Sequence, residues 1–284
     1  MKLFQLLEGA GYGLGGIKDA EVTLVTEDSR KVCEGSVFVC VKGARFDGHD
    51  AAADAVKKGA VLIVAQHDTG CENQLIVEDT REAFSLLSAS FFSNPARKLR
   101  LVGVTGTNGK TTTCFLLKAI FEGLGHKTGL VGTVKNMVGD KEYPAHLTTP
   151  DPFELNSLFA EMVEQGCEFC VMEVSSQALA QQRVAGLHYE SAIFTNLTQD
   201  HLDYHGNFEN YIAAKHKLFE MCDTAVINCD DEAHTAMVEG TDCRKVTYSV
   251  LSDNADYTAK NVEYKTSGVS YILVGFGRLE RIKM

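Results

Sequence analysis

The chain has 284 residues, enough for about two domains at roughly 150 residues each; 45% are hydrophobic and 23% charged, as in ordinary globular proteins, which excludes a largely disordered or fibrous chain. The 38 acidic residues outnumber the 27 basic ones, giving a net charge of −11 without the basic stripe that marks a nucleic-acid-binding surface. No membrane span or signal-peptide core is found and the nine cysteines form no disulfide framework, so we expect a cytoplasmic protein with reduced thiols.

The first part of the chain alternates short apolar runs with helical patterns, which is typical of α/β architecture. Strands are predicted at 36–41, 61–65 and 75–78, and helices at 49–58 and 80–92. Asn94 and Pro95 then break the pattern. The sequence therefore predicts a small α/β domain over residues 1–97.

The second part repeats the alternation on a larger scale. The predicted strands are 99–104, 168–174, 190–195 and 224–228, and the predicted helices are 110–123, 152–165, 175–185 and 207–221. Repeated strand–helix units predict a mostly parallel sheet with helices on both faces, in a domain that covers residues 98–284. A β-hairpin is predicted near its end, from strands at 255–264 and 268–274.

The stretch GVTGTNGKTTT at 103–113 has the composition of a phosphate-binding loop between a strand and a helix. Gly106 and Gly109 would let backbone N–H groups turn towards phosphate oxygens, and the start of a helix adds its dipole. Lys110 would reach the terminal phosphates and Thr111 would coordinate Mg²⁺. Val104 stands where the standard spacing has a glycine, so the loop is a variant. The alternative is a tight strand–helix turn without a ligand.

Glu173 ends an apolar run that is predicted to be a strand of the same sheet. The carboxyl ends of parallel strands lie at one edge, where ligands bind. An acid beside the phosphate loop could therefore hold Mg²⁺ or position a nucleophile. The alternative is that Glu173 only caps the following helix.

Four polar residues crowd together after the strand predicted at 190–195. They are Asp200, His201, Asp203 and His205. Histidine and aspartate suit a metal or a polar substrate. A polar loop in which Asn207 caps the next helix is the alternative.

Lys215 interrupts the apolar face of the helix predicted at 207–221. The other residues on this face are Phe208, Tyr211, Ile212, Leu218 and Phe219. One interpretation is an apolar stem whose charged end reaches water. The other is a lysine whose charge is altered for function.

Together these stretches resemble the Mur ligases, the ATP-dependent amide ligases of peptidoglycan synthesis, and the resemblance covers nearly the whole chain. The blocks that carry it are TEDSRKVCEGSVFVCVKGARFDGHD at 26–50, GVTGTNGKTTT at 103–113, LTTPDPFEL at 147–155, MEVSSQALAQQRV at 172–184 and TNLTQDHLDYHGNFENYIAAKHKLF at 195–219. The phosphate loop and the Asp-His pair also suit the folylpolyglutamate synthases. The blocks DSR, TTP and DHLDYHG are more specific to ligases that add a diamino acid.

The resemblance implies a role for each matching residue. The uridine nucleotide would lie against Glu27, Ser29, Ala44, Arg45 and Phe46, and the muramyl dipeptide end against Thr148, Thr149, Ser175, Gln181 and Arg183. ATP would bind the loop formed by Gly106, Thr107, Asn108, Gly109, Lys110, Thr111 and Thr112. Mg²⁺ would be held by Thr111, Glu173, His201 and Lys215, the last carried as a carbamate (N6-carboxylysine). Gln177 departs from the family, since many relatives have a histidine there.

The implied reaction joins a diamino acid, meso-diaminopimelate or L-lysine, to UDP-N-acetylmuramoyl-L-alanyl-D-glutamate in a monomeric enzyme. ATP would convert the D-glutamyl carboxylate to an acyl phosphate, which the incoming amine attacks. Lys110, Glu173, His201 and Lys215 are the implied catalytic residues.

Family members are longer, with a third domain that carries the amino-acid site. We therefore expect the central domain to be incomplete and this chain alone to be inactive. Three alternatives remain open: a chain that binds nucleotide sugar or ATP without catalysis, another Mur or folylpolyglutamate-type ligase, and a kinase or simple NTPase with the same loop.

Overall fold

A computed structural model describes residues 1–44, 46–198, 202–266 and 268–284 of the chain, apart from the side chains of residues 202 and 203. Its strands form two sheets, and helices pack on the faces of both. In chain order, the α-helices of the described residues are α1 (Leu3–Gly9), α2 (Ala52–Lys57), α3 (Thr80–Phe91), α4 (Lys110–Gly123), α5 (Pro152–Glu164), α6 (Ser176–Ala180), α7 (Leu202–His205), α8 (Phe208–Glu220) and α9 (His234–Val238). None of these helices is long and apolar enough to cross a membrane.

The first sheet is parallel throughout and has the order β1-β2-β3-β4. Its strands are β1 (Leu24–Thr26), β2 (Ser36–Val39), β3 (Ala60–Ala65) and β4 (Gln74–Ile76). Because side chains alternate along a strand, Val37 and Val39 pack in one core with α1 and α3. Phe38 faces the other way and packs in a second core with α2. Burial on both faces explains why the central strands β2 and β3 are almost entirely apolar.

The second sheet has eleven strands in the order β15-β14-β13-β12-β11-β10-β5-β9-β6-β7-β8. Their bounds are β5 (Arg100–Thr105), β6 (Thr128–Val131), β7 (Lys135–Val138), β8 (Lys141–Pro144), β9 (Phe169–Glu173), β10 (Tyr189–Phe194), β11 (Cys222–Asn228), β12 (Arg244–Ser249), β13 (Tyr257–Lys265), β14 (Gly268–Gly275) and β15 (Arg278–Lys283). The seven neighbouring strands β6, β9, β5, β10, β11, β12 and β13 are parallel. Antiparallel strands extend the sheet at both ends, β7 and β8 beyond β6, and β14 and β15 beyond β13.

Helices cover both faces of the central strands. Leu101 of β5 packs in a core that includes Phe159 of α5 and Leu218 of α8, whereas Val102 and Val104 face α4. The predicted fold class, a small α/β unit followed by a mostly parallel sheet with a phosphate loop, is confirmed.

The predicted elements agree with the structure except at a few places. The helix predicted over 175–185 is much shorter, since α6 ends at Ala180 and Gln182 has a left-handed backbone with φ of 57°. The predicted hairpin is present as β13 and β14, but β15 continues it into a third strand. The prediction also missed several elements: α1, β1, β6, β7, β8, α7, α9 and β12.

The two sheets meet where α3 packs against α5. Phe153 of α5 packs against both Phe91 and Phe92, with ring centroids 5.3 and 5.0 Å away. The Ser85 hydroxyl donates a hydrogen bond to the Gln182 carbonyl oxygen, 2.5 Å away. These contacts hold the first sheet beside the segment that follows α6.

The α5 core supports the second sheet, which leads to a stability prediction. Phe159→Ala removes a fully buried ring and should lower the free energy of unfolding by about 3–5 kcal/mol. Leu251→Ala is the control, because Leu251 is 82% exposed and its loss should cost less than about 0.5 kcal/mol. Urea unfolding followed by circular dichroism measures both; equal midpoints for the two variants would contradict the assigned core.

Candidate active site

The phosphate loop joins β5 to α4 at the carboxyl edge of the second sheet. Gly106 and Gly109 both have positive φ, 145° and 85°, in conformations that favour glycine. A Cβ on Gly106 would lie 2.0 Å from the Thr195 hydroxyl oxygen, so the loop also needs glycine for space. Helix α4 begins at Lys110, and its first turn directs backbone N–H groups towards the loop.

Two lysine side chains converge on one backbone carbonyl of this loop. Lys110 Nζ lies 2.8 Å from the carbonyl oxygens of Gly106 and Thr107. Lys215 Nζ, on α8, lies 3.0 Å from the same Gly106 oxygen. Lys215 is only 1% exposed. The alternative that its charged end reaches water is therefore wrong.

Thr195 and Asn196, which follow β10, also bond the phosphate loop. This contact was not predicted from the sequence. Thr195 Oγ1 donates to the Asn108 carbonyl oxygen at 2.7 Å. Asn196 accepts from the backbone N–H of Asn108 through its side-chain oxygen (3.0 Å) and from that of Thr107 through its carbonyl (2.8 Å). The sequence contained these residues in the matched block, but only the pairing of β5 with β10 brings them to the loop.

Glu173, at the end of β9, is 1% exposed and its carboxylate accepts three hydrogen bonds. Thr111 Oγ1 donates to Oε1 at 2.9 Å. The Thr133 backbone N–H also reaches Oε1, at 2.9 Å, and its hydroxyl reaches Oε2, at 3.0 Å. Ser175, rather than Glu173, caps α6, so the capping alternative for Glu173 is wrong.

The residues around Glu173 fit a magnesium ion. Mg²⁺ prefers oxygen ligands and is usually held by one or two carboxylates together with substrate phosphates. A buried carboxylate 2.9 Å from a hydroxyl in the first turn after the phosphate loop supplies such oxygens. His201, Asp200 and Arg45 lie outside the described residues. Within the described ranges, no group of three His, Cys, Asp or Glu side chains is close enough to hold a metal by itself.

A cavity of 440 Å³ opens next to the loop. It is lined by residues from both the phosphate loop and the predicted dipeptide site, including Gly106, Lys110, Thr148, Ser175, Gln181, Arg183 and Lys215. Thr149 lies just behind, fully buried, and its hydroxyl donates to the Glu173 carbonyl oxygen at 2.8 Å. The structure thus brings together predicted residues that are more than 100 positions apart in the sequence.

Hydrogen bonds order the far side of this cavity. Arg183 donates to the Thr149 carbonyl oxygen at 2.9 Å and to the Gln181 side-chain oxygen at 2.6 Å. Gln181 donates in turn to the Tyr204 hydroxyl at 3.0 Å. Burial lowers the pKa of Arg183, and Glu27 opposes that shift. Tyr204 was not predicted as a site residue. It lies inside the DHLDYHG block, in which only the Asp and His residues drew attention.

The residues predicted to bind the uridine nucleotide lie at a second cavity, of 680 Å³, beside the first sheet. Its lining includes Glu27, Ser29, Ala44, Phe46 and Gln181. Burial raises the pKa of the Glu27 carboxyl, and Arg81 opposes that shift. Gln181 lines both cavities, so the two cavities adjoin at this residue.

His205 and Asn207 have local roles in the structure. His205 is 8% exposed, and its Nε2 lies 2.9 Å from the Ser176 hydroxyl. Asn207 caps α8, as the alternative interpretation of this segment expected, by accepting from the Asn210 backbone N–H at 2.8 Å. The structure therefore gives these two residues structural contacts at the border of the cavity.

Relatives with known names resemble nearly the whole chain. A UDP-N-acetylmuramoyl-L-alanyl-D-glutamate--2,6-diaminopimelate ligase of Clostridium perfringens is 42% identical over 95% of this chain and 58% of its own length. The protein of the same name from Parabacteroides distasonis is 44% identical over 92% of this chain and 55% of its own length. The chain thus spans less than three fifths of these curated relatives.

Solved structures agree. A structure of a UDP-N-acetylmuramoyl-L-alanyl-D-glutamate--2,6-diaminopimelate ligase superposes with a TM-score of 0.81 at 28% identity, covering 92% of this chain and 55% of the other. A MurF ligase from Thermotoga maritima in complex with ADP has a TM-score of 0.56 at 21% identity, covering 92% of this chain and 58% of the other. The second likeness concerns the fold alone.

Family models match both sheets separately. The model described as "Mur ligase family, catalytic domain" matches residues 21–92. The model described as "Mur ligase middle domain" matches residues 104–284, which is more than half of the chain. The chain therefore belongs to the Mur ligase family.

Proposed function

We propose that the chain carries the UDP-sugar site and the ATP site of an amide ligase that adds diaminopimelate to UDP-N-acetylmuramoyl-L-alanyl-D-glutamate. The names of the relatives support diaminopimelate over lysine. We further propose a monomeric cytoplasmic protein with a first domain over 1–97 and a second over 98–284, and an amino-acid site on a third domain, outside this chain.

The observation that carries the proposal is the shared wall of the two cavities. A substrate with a nucleotide at one end and a carboxylate at the other must reach from a recognition site to the phosphate donor. Gln181 lines the cavity beside the first sheet and the cavity beside Lys110. Arg183, in the 440 Å³ cavity beside Lys110, is suited to a carboxylate because its guanidinium offers parallel donors.

The chemistry needs positioning and charge neutralisation more than covalent help from the protein. Backbone N–H groups at the start of α4 and the Lys110 ammonium would bind the terminal phosphates of ATP. Mg²⁺, when bound, would neutralise charge that develops on the transferred phosphoryl group. Thr111 and Glu173 would hold that ion, and we keep His201 as a further ligand.

We propose in addition that Lys215 is carbamylated in the assembled site. Its amino group and that of Lys110 donate to the same carbonyl oxygen, and two ammonium groups this close repel each other. Addition of carbon dioxide to a neutral Lys215 amine releases one proton and leaves an anion. The anion would attract Lys110 and could offer oxygen to Mg²⁺.

The dipeptide site is tested by comparing the binding of the whole nucleotide-sugar dipeptide with the binding of UDP alone. Arg183→Met should weaken binding of UDP-N-acetylmuramoyl-L-alanyl-D-glutamate by roughly 10- to 150-fold, because one charge-assisted contact is worth about 1.5–3 kcal/mol. The same substitution should leave the binding of UDP alone unchanged. Calorimetry measures both ligands, with Arg97→Met, an exposed arginine, as control. Failure of the wild-type chain to bind the nucleotide sugar would contradict the proposed function.

The phosphate site is tested with a non-hydrolysable ATP analogue. Lys110→Ala should lower its affinity by roughly 10- to 150-fold through loss of the same kind of contact. Lys98→Ala, an exposed lysine in the same part of the chain, is the control. Equal affinities of Lys110→Ala and wild type, measured by fluorescence titration, would argue against the loop as the ATP site.

The carbamate is tested by carbon nuclear magnetic resonance with isotope-labelled bicarbonate, in the presence of Mg²⁺, the ATP analogue and the nucleotide sugar. We expect one carbamate carbonyl signal that disappears in Lys215→Arg. Lys118→Arg is the matched control, because Lys118 is also buried, at 5% exposure, but lies at α4 and bonds the Thr128 carbonyl. A signal that persists in Lys215→Arg would contradict the modification.

A further inference from the structure

Thr133 holds both oxygens of the Glu173 carboxylate. Its backbone N–H donates to Oε1 and its hydroxyl to Oε2, at 2.9 and 3.0 Å. Thr111 supplies a third donor, to Oε1. A side chain gripped at both oxygens cannot rotate about its last bond without losing a hydrogen bond. Thr133 therefore determines which way the carboxylate plane faces.

The backbone around Thr133 is itself held in place. Residue 132 is glycine, and a Cβ there would lie 2.4 Å from Glu173 Oε1, so the chain passes directly against the carboxylate. The Gly132 N–H donates to the side-chain oxygen of Asn136, a fully buried residue of β7, at 3.2 Å. Strand β6 before the loop and β7 after it fix both ends. Thr133 thus acts from a rigid support.

The Thr133 hydroxyl also links Glu173 to the 440 Å³ cavity. Thr148, which lines that cavity, has its Oγ1 3.1 Å from Thr133 Oγ1. A hydroxyl has one hydrogen to donate, and a carboxylate can only accept. The Thr133 hydroxyl is placed to donate to Glu173 Oε2 and to Thr148 Oγ1, and its single hydrogen serves one of these two acceptors at a time. Thr133 thus connects the Glu173 carboxylate to a residue in the wall of this cavity.

We propose that Thr133 is a positioning residue that orients Glu173 to bind the metal of a metal–nucleotide complex. The inference rests on the proposed function, because the role of Glu173 as a metal ligand is itself proposed there. Hydrogen-bond partners of metal ligands commonly contribute 10- to 100-fold in metal affinity. Thr133 makes no contact with the phosphate loop in the hydrogen bonds described, so its loss should affect the metal and not the nucleotide as such.

The test compares four versions of the 284-residue chain: wild type, Thr133→Val, Thr133→Ser and a control, Thr23→Val. Thr23 also donates a hydrogen bond, to the Glu34 carbonyl at 2.7 Å, but it lies just before the first sheet, away from the metal site. Calorimetry measures the affinity for a non-hydrolysable ATP analogue with EDTA and across a Mg²⁺ titration. Thermal unfolding of each version confirms that it is folded.

In wild type, Mg²⁺ should raise the affinity for the analogue. Thr133→Val should raise the Mg²⁺ concentration at half-effect by about 10- to 100-fold and leave the affinity in EDTA unchanged. Thr133→Ser, which keeps the hydroxyl, should behave like wild type, and so should Thr23→Val. If Thr133→Val fails to fold, Thr133→Ala replaces it, with the same expectation.

Three results would overturn the inference alone: an unchanged Mg²⁺ dependence in Thr133→Val, an equal loss of affinity with and without Mg²⁺, or a serine variant as impaired as the valine variant. A wild-type chain that binds no analogue, or that gains nothing from Mg²⁺, would instead contradict the proposed ATP and metal site, and the inference with it. The wild-type arm thus separates the two failures.

Discussion

The parallel pairing of β5 with β9 on one side and β10 on the other is the constraint on which the site depends. Val104 pairs with Glu173 and Thr105 with Phe194, so three strands end at the same level of the sheet. The phosphate loop follows the middle strand, β5. Glu173 lies at the end of β9, and Thr195 and Asn196, which bond the loop, follow β10. A shift in either register would separate Thr111 from Glu173, or Asn108 from Asn196.

Close backbone approach follows from this arrangement. Gly106 lies so near Thr195 and Asn196 that a side chain would not fit, and Gly132 lies equally near Glu173. Glycine at such positions reflects neighbours from distant parts of the chain as much as the local turn. The site is a packed junction of several loops, and Lys215 from α8 reaches the Gly106 carbonyl within it.

The packing of α3 on α5 has a comparable role at larger scale. Phe153, Phe91 and Phe92 fix the first sheet against the second, and Gln182, next to the residue shared by the two cavities, accepts a hydrogen bond from α3. An acidic chain can offer a phosphate site only if positive charge is confined. Here the basic side chains of Lys110, Arg183 and Lys215 are concentrated in the lining of one cavity.

The sequence by itself determined the α/β class, the loop from Gly106 to Thr112 and the buried position of Lys215, because strand and helix periodicity and glycine spacing are local properties. Asn207 as a cap is equally local. Thr133, Asn196 and Tyr204 were found only in the tertiary structure. Each matters through a contact with a residue at least 20 positions away, and β6, after which Thr133 comes, is too short to stand out as a strand. Which strands become neighbours is a collective result of packing both faces of the sheet, and no single stretch of sequence contains it.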